Sequence, residues 1–261
     1  MTKQAKPETE KILSFASDAG KVLIESGADI TRVEDTLKHI LNAYGVTKYD
    51  MFTLTNCIIL TATEEGADAS ITEVRNIPAV GTNLGKVDAV NTLSRRIAEK
   101  KYTVDEAREV LSSIEKMKKT APLLRMAASG VACGTFCLLL GGSPGEAAAA
   151  FAVGLLFYIS VLLLEDKKFS RLLTHLLPAA LATLLSFAVV KGIPAFSMDK
   201  IIIGAIMPLL PGVAFVNAIR DIAAGDYLSG AIRLIDTLLV AAGIAVGVGA
   251  VLALTAFFGL M

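Results

Sequence analysis

The sequence carries no surplus charge: 25 Lys and Arg balance 25 Asp and Glu. That balance argues against a nucleic-acid partner held by bulk positive charge. Only three cysteines occur, too few and too scattered for a disulfide framework, and Cys133 and Cys137 sit in apolar runs where the thiol serves as a small hydrophobe. The two histidines, His39 and His175, have no ligand cluster around them in sequence and no H-E-x-x-H occurs, so neither a metal centre nor a cofactor is expected. There is no convincing internal repeat and no low-complexity linker. Met1 to Lys11 is polar and unlike a signal peptide, which places residue 1 in the cytoplasm as an expectation. Apolar residues, in contrast, are abundant: they make up 54% of the 261, with a mean hydropathy of +0.61, too much for a soluble globule of this size. The excess belongs in a bilayer.

The charge is distributed unevenly. Residues 1–118 hold 18 of the 25 acidic and 16 of the 25 basic side chains, so this part reads as soluble and the rest as membrane. Ile12, Phe15, Ala16, Ala19, Val22 and Leu23 recur at helical spacing, and Val33, Leu37, Ile40, Leu41 and Tyr44 repeat the pattern until Gly45 stops it. Thr31 with Glu34 reads as a capping box for the second helix. From Val46 to Arg75 the chain turns rich in Thr, Ile, Tyr and Phe, broken at Thr55-Asn56 and Glu64 to Asp68, which predicts three short strands. Helical periodicity returns at Leu84, Val87, Val90 and Ile97, then at Ala107, Val110, Leu111, Ile114 and Met117 behind a second capping box, Thr103 with Glu106. Residues 1–118 are thus expected to form a cytoplasmic α+β domain large enough to bury its own core.

Residues 119–261 are expected to form a transmembrane bundle. Five runs match the roughly 20 residues that cross a hydrocarbon core of about 30 Å: Leu123 to Leu140, Ala147 to Leu164, Leu172 to Val190, Ile201 to Ile219, and a longer one from about Ala231 to Phe258. Lys116, Lys118, Lys119 and Arg125 precede the first, Lys167, Lys168 and Arg171 separate the second from the third, and Arg220 and Arg233 flank the last connection. The other side carries only Lys191 and Lys200, so the positive-inside rule puts the N-terminus in the cytoplasm and the C-terminus outside. The predicted fold class is an integral membrane α-helical bundle of five transmembrane helices preceded by a cytoplasmic α+β domain.

Several motifs have an ordinary explanation. Gly141-Gly-Ser143-Pro-Gly145 fits G-x-S-x-G, but it joins two spans, and Ser143, Pro144 and Glu146 read better as N-cap, N1 and N3 of a helix than as part of a hydrolase. Gly81-Thr-Asn-Leu-Gly85-Lys86 is one residue short of a phosphate loop and is followed by Val87 where a Ser or Thr should stand. Gly130-x-x-x-Gly134 and Gly243-x-x-x-Gly247 are small-residue faces for close helix packing, within one chain or between copies in a homo-oligomer.

Met207-Pro208-Leu-Leu-Pro211-Gly212 is more informative, because two prolines and a glycine at mid-span free backbone groups that lipid cannot satisfy. Such a break should be buried in protein or line a wet cavity. Asn217, Arg220, Asp221, Asp226, Arg233 and Asp236 follow. For Arg220, Asp221 and Asp226 a solvated loop is an equal alternative. Asp236, one turn inside the last span and three residues after Arg233, would be costly there and serves either a structural ion pair or proton coupling.

These residues carry a resemblance. Ser26-Gly-Ala-Asp-Ile-Thr-Arg-Val-Glu34, the Gly141-Gly-Ser143 turn, Ile203-Gly-Ala-Ile-Met-Pro-Leu-Leu-Pro-Gly212, Ala218-Ile-Arg-Asp221 and Gly225-Asp-Tyr-Leu-Ser-Gly230 resemble the threonine/serine exporter (ThrE-like) family, in its split form where a longer YjjP-type subunit works with a small YjjB-type membrane subunit. The resemblance implies proton-motive-force-driven export of threonine and serine, or of succinate, at the bacterial inner membrane. Because the sequence stops after five spans, it also implies a YjjB-like partner on a separate chain. On that reading Pro208, Pro211, Gly212, Asn217, Arg220 and Arg233 are candidates for substrate binding, and Asp221 and Asp236 for the proton. A membrane-anchored sensor or scaffold with a ligand-binding cytoplasmic domain is the alternative.

Overall fold

The computed structural model describes residues 7–63, 70–77, 81–118, 120–165 and 170–259. The chain divides into two compact units, Met1–Lys118 with Ala214–Leu234, and Lys119–Val213 with Ile235–Met261.

In the first unit α1 (Pro7–Glu25) and α2 (Ile30–Ala43) are followed by β1 (Tyr49–Leu54), β2 (Cys57–Thr63) and β3 (Ser70–Asn76), then α3 (Leu84–Ala98) and α4 (Val104–Glu115). The strands form an antiparallel meander in the order β1-β2-β3, with Met51 opposite Leu60 and Ile58 opposite Arg75. Alternation along β2 turns Ile58, Leu60 and Ala62 inward, where they join Phe15, Ala16, Ala19 and Leu23 of α1 in one core with Val33, Leu37 and Val90. Gly20 permits that approach, since a β-carbon there would stand 2.7 Å from the Ile58 Cδ1. The predicted turn at Thr55-Asn56 joins β1 to β2. The predicted break at Glu64 to Asp68 lies outside the described residues, as do Lys119, Lys167 and Lys168.

Helix ends follow their local chemistry. Gly45, with φ of 82°, ends α2 in the left-handed conformation that glycine adopts without strain. The α4 capping box is present: Glu106 N–H meets Thr103 Oγ1 at 3.4 Å and Thr103 N–H donates to Glu106 Oε2 at 2.8 Å. For α2 the expected Thr31–Glu34 box is replaced by Asp29, whose Oδ1 accepts from Arg32 N–H at 2.9 Å. The helix begins two residues earlier than its apolar periodicity implies.

In the second unit α5 (Pro122–Leu139) and α6 (Pro144–Glu165) form a helical hairpin, followed by α7 (Arg171–Gly192), α8 (Met198–Ile206) and a single 3-10 turn (Met207–Leu209). Two further helices lie mostly or partly elsewhere: α9 (Gly212–Ala223) falls in the first unit from Ala214, and α10 (Tyr227–Phe257) enters the second at Ile235. Small residues bring the hairpin together. A β-carbon on Gly154 of α6 would lie 2.7 Å from Cys133 Sγ and 3.0 Å from Gly130 Cα, and one on Gly134 would lie 3.0 Å from the Ala147 carbonyl. Gly204 of α8 seats equally closely against Cys133 and Cys137. Gly243 and Gly247 of α10 face the Leu172 and Leu176 carbonyls of α7. Both small-residue faces are therefore used within the chain.

Ser143 caps α6 as predicted, its Oγ accepting from Glu146 N–H at 3.3 Å. Buried Glu146 goes further, accepting from Ser143 N–H at 2.5 Å and from Ser197 N–H at 2.6 Å, so one carboxylate ties together the starts of α6 and α8. At the other end of the hairpin Arg125 reaches Glu165 at 2.8 Å.

Among the described residues four unbroken helices are long and apolar enough to cross a membrane, Pro122–Leu139, Pro144–Glu165, Leu172–Gly192 and Tyr227–Phe257, and counting the broken pair α8 and α9 as one span raises the number to five. The fourth expected span, Ile201 to Ile219, is thus not one continuous helix. Pro208 and Pro211 each lack a donor and limit φ, so the chain passes from α8 through the 3-10 turn and Leu210 before α9 restarts at Gly212. The last helix begins at Tyr227, earlier than its apolar run.

Candidate functional site

Four of the polar residues after the proline break, Asn217, Arg220, Asp221 and Arg233, converge on the loop between α1 and α2. That loop is held from the opposite side: Gly81 N–H donates to the Glu25 carbonyl at 2.8 Å and Asn83 N–H to the Ser26 carbonyl at 2.9 Å. Gly27 adopts φ of 86°, and a β-carbon there would approach the Gly81 carbonyl to 2.7 Å, so the position requires glycine for both conformation and space.

One face of α9 presents Asn217, Arg220 and Asp221 at i, i+3 and i+4 to this loop. Asn217 Nδ2 donates to the Gly27 carbonyl at 3.1 Å, and Arg220 Nη1 donates to Asp29 Oδ2 at 3.2 Å. Asp221 Oδ1 accepts from Ile30 N–H, at the start of α2, at 3.3 Å. From the second turn of α10, Arg233 Nη2 donates to the Ala28 carbonyl at 3.2 Å, and its Nε lies 3.3 Å from Asp221 Oδ2. Asp221 is fully buried and Arg233 is 8% exposed. A buried carboxylate is tolerated here because a guanidinium neutralises it and a helix N-terminus donates to it. The contact at Oδ2 is an ion pair without hydrogen-bond alignment, so among the described residues that oxygen has no hydrogen-bonded partner.

The solvated-loop reading therefore does not hold for Asp221. Arg220 differs, its side chain being 56% exposed while one nitrogen holds Asp29. Nearby Glu34 of α2 is half-buried, and its carboxyl is held above the ordinary range chiefly by burial; Lys38 offsets this in part, and the charge of Asp226 adds to it.

Beside the cluster an open groove of about 560 Å³ runs between α2, α3 and α9. Its polar wall includes Asp29, Arg32, Asp35, Asn91, Arg95 and Arg220, with His39 at α2. Of these, sequence reasoning selected only Arg220. Asp29 and Arg32 stand inside a quoted motif with no role assigned, and Asn91 and Arg95 belong to an amphipathic helix whose polar face gives no periodic signal of a site.

The remaining candidates lie in the second unit. Pro208 and Gly212 are exposed and Pro211 is half-buried, so the break is not buried among the described residues of this chain, and of the two expectations the wet cavity is the one left standing. A β-carbon on Gly212 would meet nothing within 4 Å. The freed backbone is met in part locally, by Leu210 N–H to the Met207 carbonyl at 3.2 Å and Gly212 N–H to the Leu210 carbonyl at 2.9 Å. Asp236 is half-buried on α10. The structure thus brings Asn217, Arg220, Asp221 and Arg233 together and places Pro208, Pro211, Gly212 and Asp236 in a different unit.

Residues 14–255 match the model of the ThrE family, described as "Putative threonine/serine exporter". The chain belongs to the ThrE family. Among relatives of this ThrE chain, a Mycobacterium tuberculosis protein named "Probable threonine/serine exporter" is 26% identical over 92% of the chain and 45% of its own length. A Klebsiella aerogenes protein named "Probable succinate transporter subunit YjjP" is 26% identical over 96% of the chain and 95% of its own length. The "Threonine/serine exporter" of Corynebacterium glutamicum is 24% identical over 91% of the chain and 50% of its own length. The ThrE chain thus spans about half the length of the exporter relatives and nearly all of the YjjP relative. No solved structure matches it. Family and apolar helices together make it a multi-pass membrane protein.

Proposed function

We propose that the protein is the larger subunit of a two-component secondary exporter of small carboxylate-bearing metabolites, threonine and serine or a dicarboxylate such as succinate, driven by the proton motive force across the bacterial inner membrane. The observation that carries this reading is the nearly end-to-end match to a protein named as a transporter subunit, which leaves room for a small YjjB-like partner on a separate chain. Residues 1–118 are the cytoplasmic α+β domain and residues 119–261 carry the spans, with the C-terminus outside. Clustering of Ala214–Leu234 with the N-terminal residues supports this orientation, since the basic Arg220–Arg233 connection then shares their side.

Within this reading Arg220, half-exposed and anchored by one nitrogen, offers its remaining donors to a substrate carboxylate, helped by Asn217 and Arg233. The backbone at Pro208, Pro211 and Gly212 supplies partial charges where helix ends meet the translocated solute. Asp236 and the buried Asp221 exchange the coupled proton.

The test is flux of labelled threonine, serine and succinate in proteoliposomes, with and without a pH gradient and with and without the small partner. The proposal expects flux that needs both, and its loss in Asp236→Asn of an assembled complex. A folded, assembled complex that moves none of the three solutes under a gradient would overturn it, and selective ligand binding without flux would favour a membrane-anchored sensor or scaffold.

A further inference from the structure

We propose that the groove between α2, α3 and α9 is the capture site for the exported solute and that it selects a dicarboxylate over a zwitterionic amino acid; this rests on the exporter reading above. The groove has the scale of a small-molecule site. Three guanidinium groups reach it from three helices, Arg32 from α2, Arg95 from α3 and Arg220 from α9, against the carboxylates of Asp29 and Asp35.

What decides the class of ligand is which of these charges are already engaged. Asp29 is nine-tenths buried; its Oδ1 accepts from Arg32 N–H, and its Oδ2 lies 3.2 Å from Arg220 and 3.8 Å from Arg32. Asp35 lies 3.9 Å from Lys38. Asp29 is thus taken up by the protein's own donors, whereas Asp35 is exposed and shares Lys38 with Glu34. The cations are less occupied. Arg95 is exposed and makes no ion pair among the described residues, while Arg32 has one long contact and Arg220 one hydrogen bond. Three guanidinium groups outnumber two carboxylates, and a fork of donors with that surplus positive charge binds an anion well. It neutralises a second carboxylate and repels an ammonium. Asn91 stands on the same wall with its side-chain amide 3.0 Å from the Thr36 hydroxyl, which itself donates to the Arg32 carbonyl at 2.8 Å.

The test measures binding of succinate and of L-threonine to the purified full-length chain by calorimetry, in the wild type, Arg95→Gln and Arg95→Lys, alongside succinate flux with the small partner. Succinate is expected to bind saturably and about tenfold or more tighter than threonine. Arg95→Gln should weaken succinate by about tenfold, the effect of losing one charge-assisted hydrogen bond, with little change for threonine and with an unaltered thermal midpoint, and Arg95→Lys should restore part of the preference. Equal affinity for the two solutes, no saturable succinate binding, or wild-type preference in Arg95→Gln would overturn the inference. The two readings fail separately. Succinate flux that ignores Arg95→Gln overturns the groove and leaves the exporter, whereas Arg95-dependent succinate binding by an assembled complex without any flux overturns the exporter and leaves a dicarboxylate site.

Discussion

Asp221 and Arg233 set the energetics of the polar cluster, because each is buried and neither charge is tolerable alone. Asp221→Ala would take the counter-charge from the buried Arg233 guanidinium and the acceptor from the Ile30 N–H, at a cost of about 3–5 kcal/mol. The expected result is a lowered unfolding midpoint in detergent, with much of the loss recovered by the apolar double variant Asp221→Leu, Arg233→Met; a single variant as stable as wild type would show that the pair holds nothing together. Glu34 makes a prediction about pH. Its folded carboxyl binds a proton more tightly than the unfolded chain's, whose ordinary value is 4.5, so its stabilising contribution is complete below that value and is lost as pH rises through the higher folded value. Glu34→Gln should therefore be more stable than wild type at neutral pH, and the two should converge near about pH 4, as read from midpoints across a pH series. Residues of this kind were partly legible in sequence. Arg233 and Asp221 stand out as charges beside a membrane segment, but that Asp221 pairs with a residue twelve positions on and with a backbone N–H 191 positions earlier follows only from folding.

Helix contacts in the second unit are set by the absence of side chains. Gly154 allows α6 to lie against Cys133 and Gly130 of α5, and Gly154→Val would force backbone and sulfur apart, with an overpacking cost of about 1–3 kcal/mol. A reduced thermal midpoint and a broadened elution profile are the expected signs, whereas Gly249→Ala, where a β-carbon meets nothing within 4 Å, should behave as wild type. In the first unit Thr103→Ala removes one arm of the α4 capping box and should lower stability by about 1 kcal/mol in chemical denaturation. Helix caps of this type were readable three residues at a time, as Thr103–Glu106 and Ser143–Glu146 show. At α2 the same signature at Thr31–Glu34 misled, because Asp29 also caps well and the loop around Gly27 fixes where the helix can begin.

At the scale of the molecule, the contact-based division assigns Ala214–Leu234 to the unit built from the N-terminal residues, although hydropathy reads much of α9 as membrane. If that segment links the N-terminal unit to the proposed transport, cutting the link should affect flux more than fold. Asn217→Ala removes the donor to the Gly27 carbonyl, a half-buried contact, and is expected to lower flux several-fold in proteoliposomes, with a midpoint shift within about 1 kcal/mol. Unchanged flux in that variant would remove the Gly27 contact from the transport mechanism.

The sequence by itself determined the apolar runs, the helical periodicities, the strand-rich stretch and the prolines that interrupt the fourth run, because each depends on composition or on neighbours a few residues apart. It also carried the motifs through which the family is recognised. Only the tertiary structure decided that Asp29, Arg32 and Arg95 share a groove with Arg220, that Glu146 reaches Ser197 as well as its own cap, and that Pro208 and Gly212 at the break are exposed among the described residues. The reason is one of range. Caps and amphipathic faces are local free energies written into short windows, whereas a groove or a buried ion pair joins side chains separated by scores of residues. Their spacing in sequence carries no trace of the distance between them.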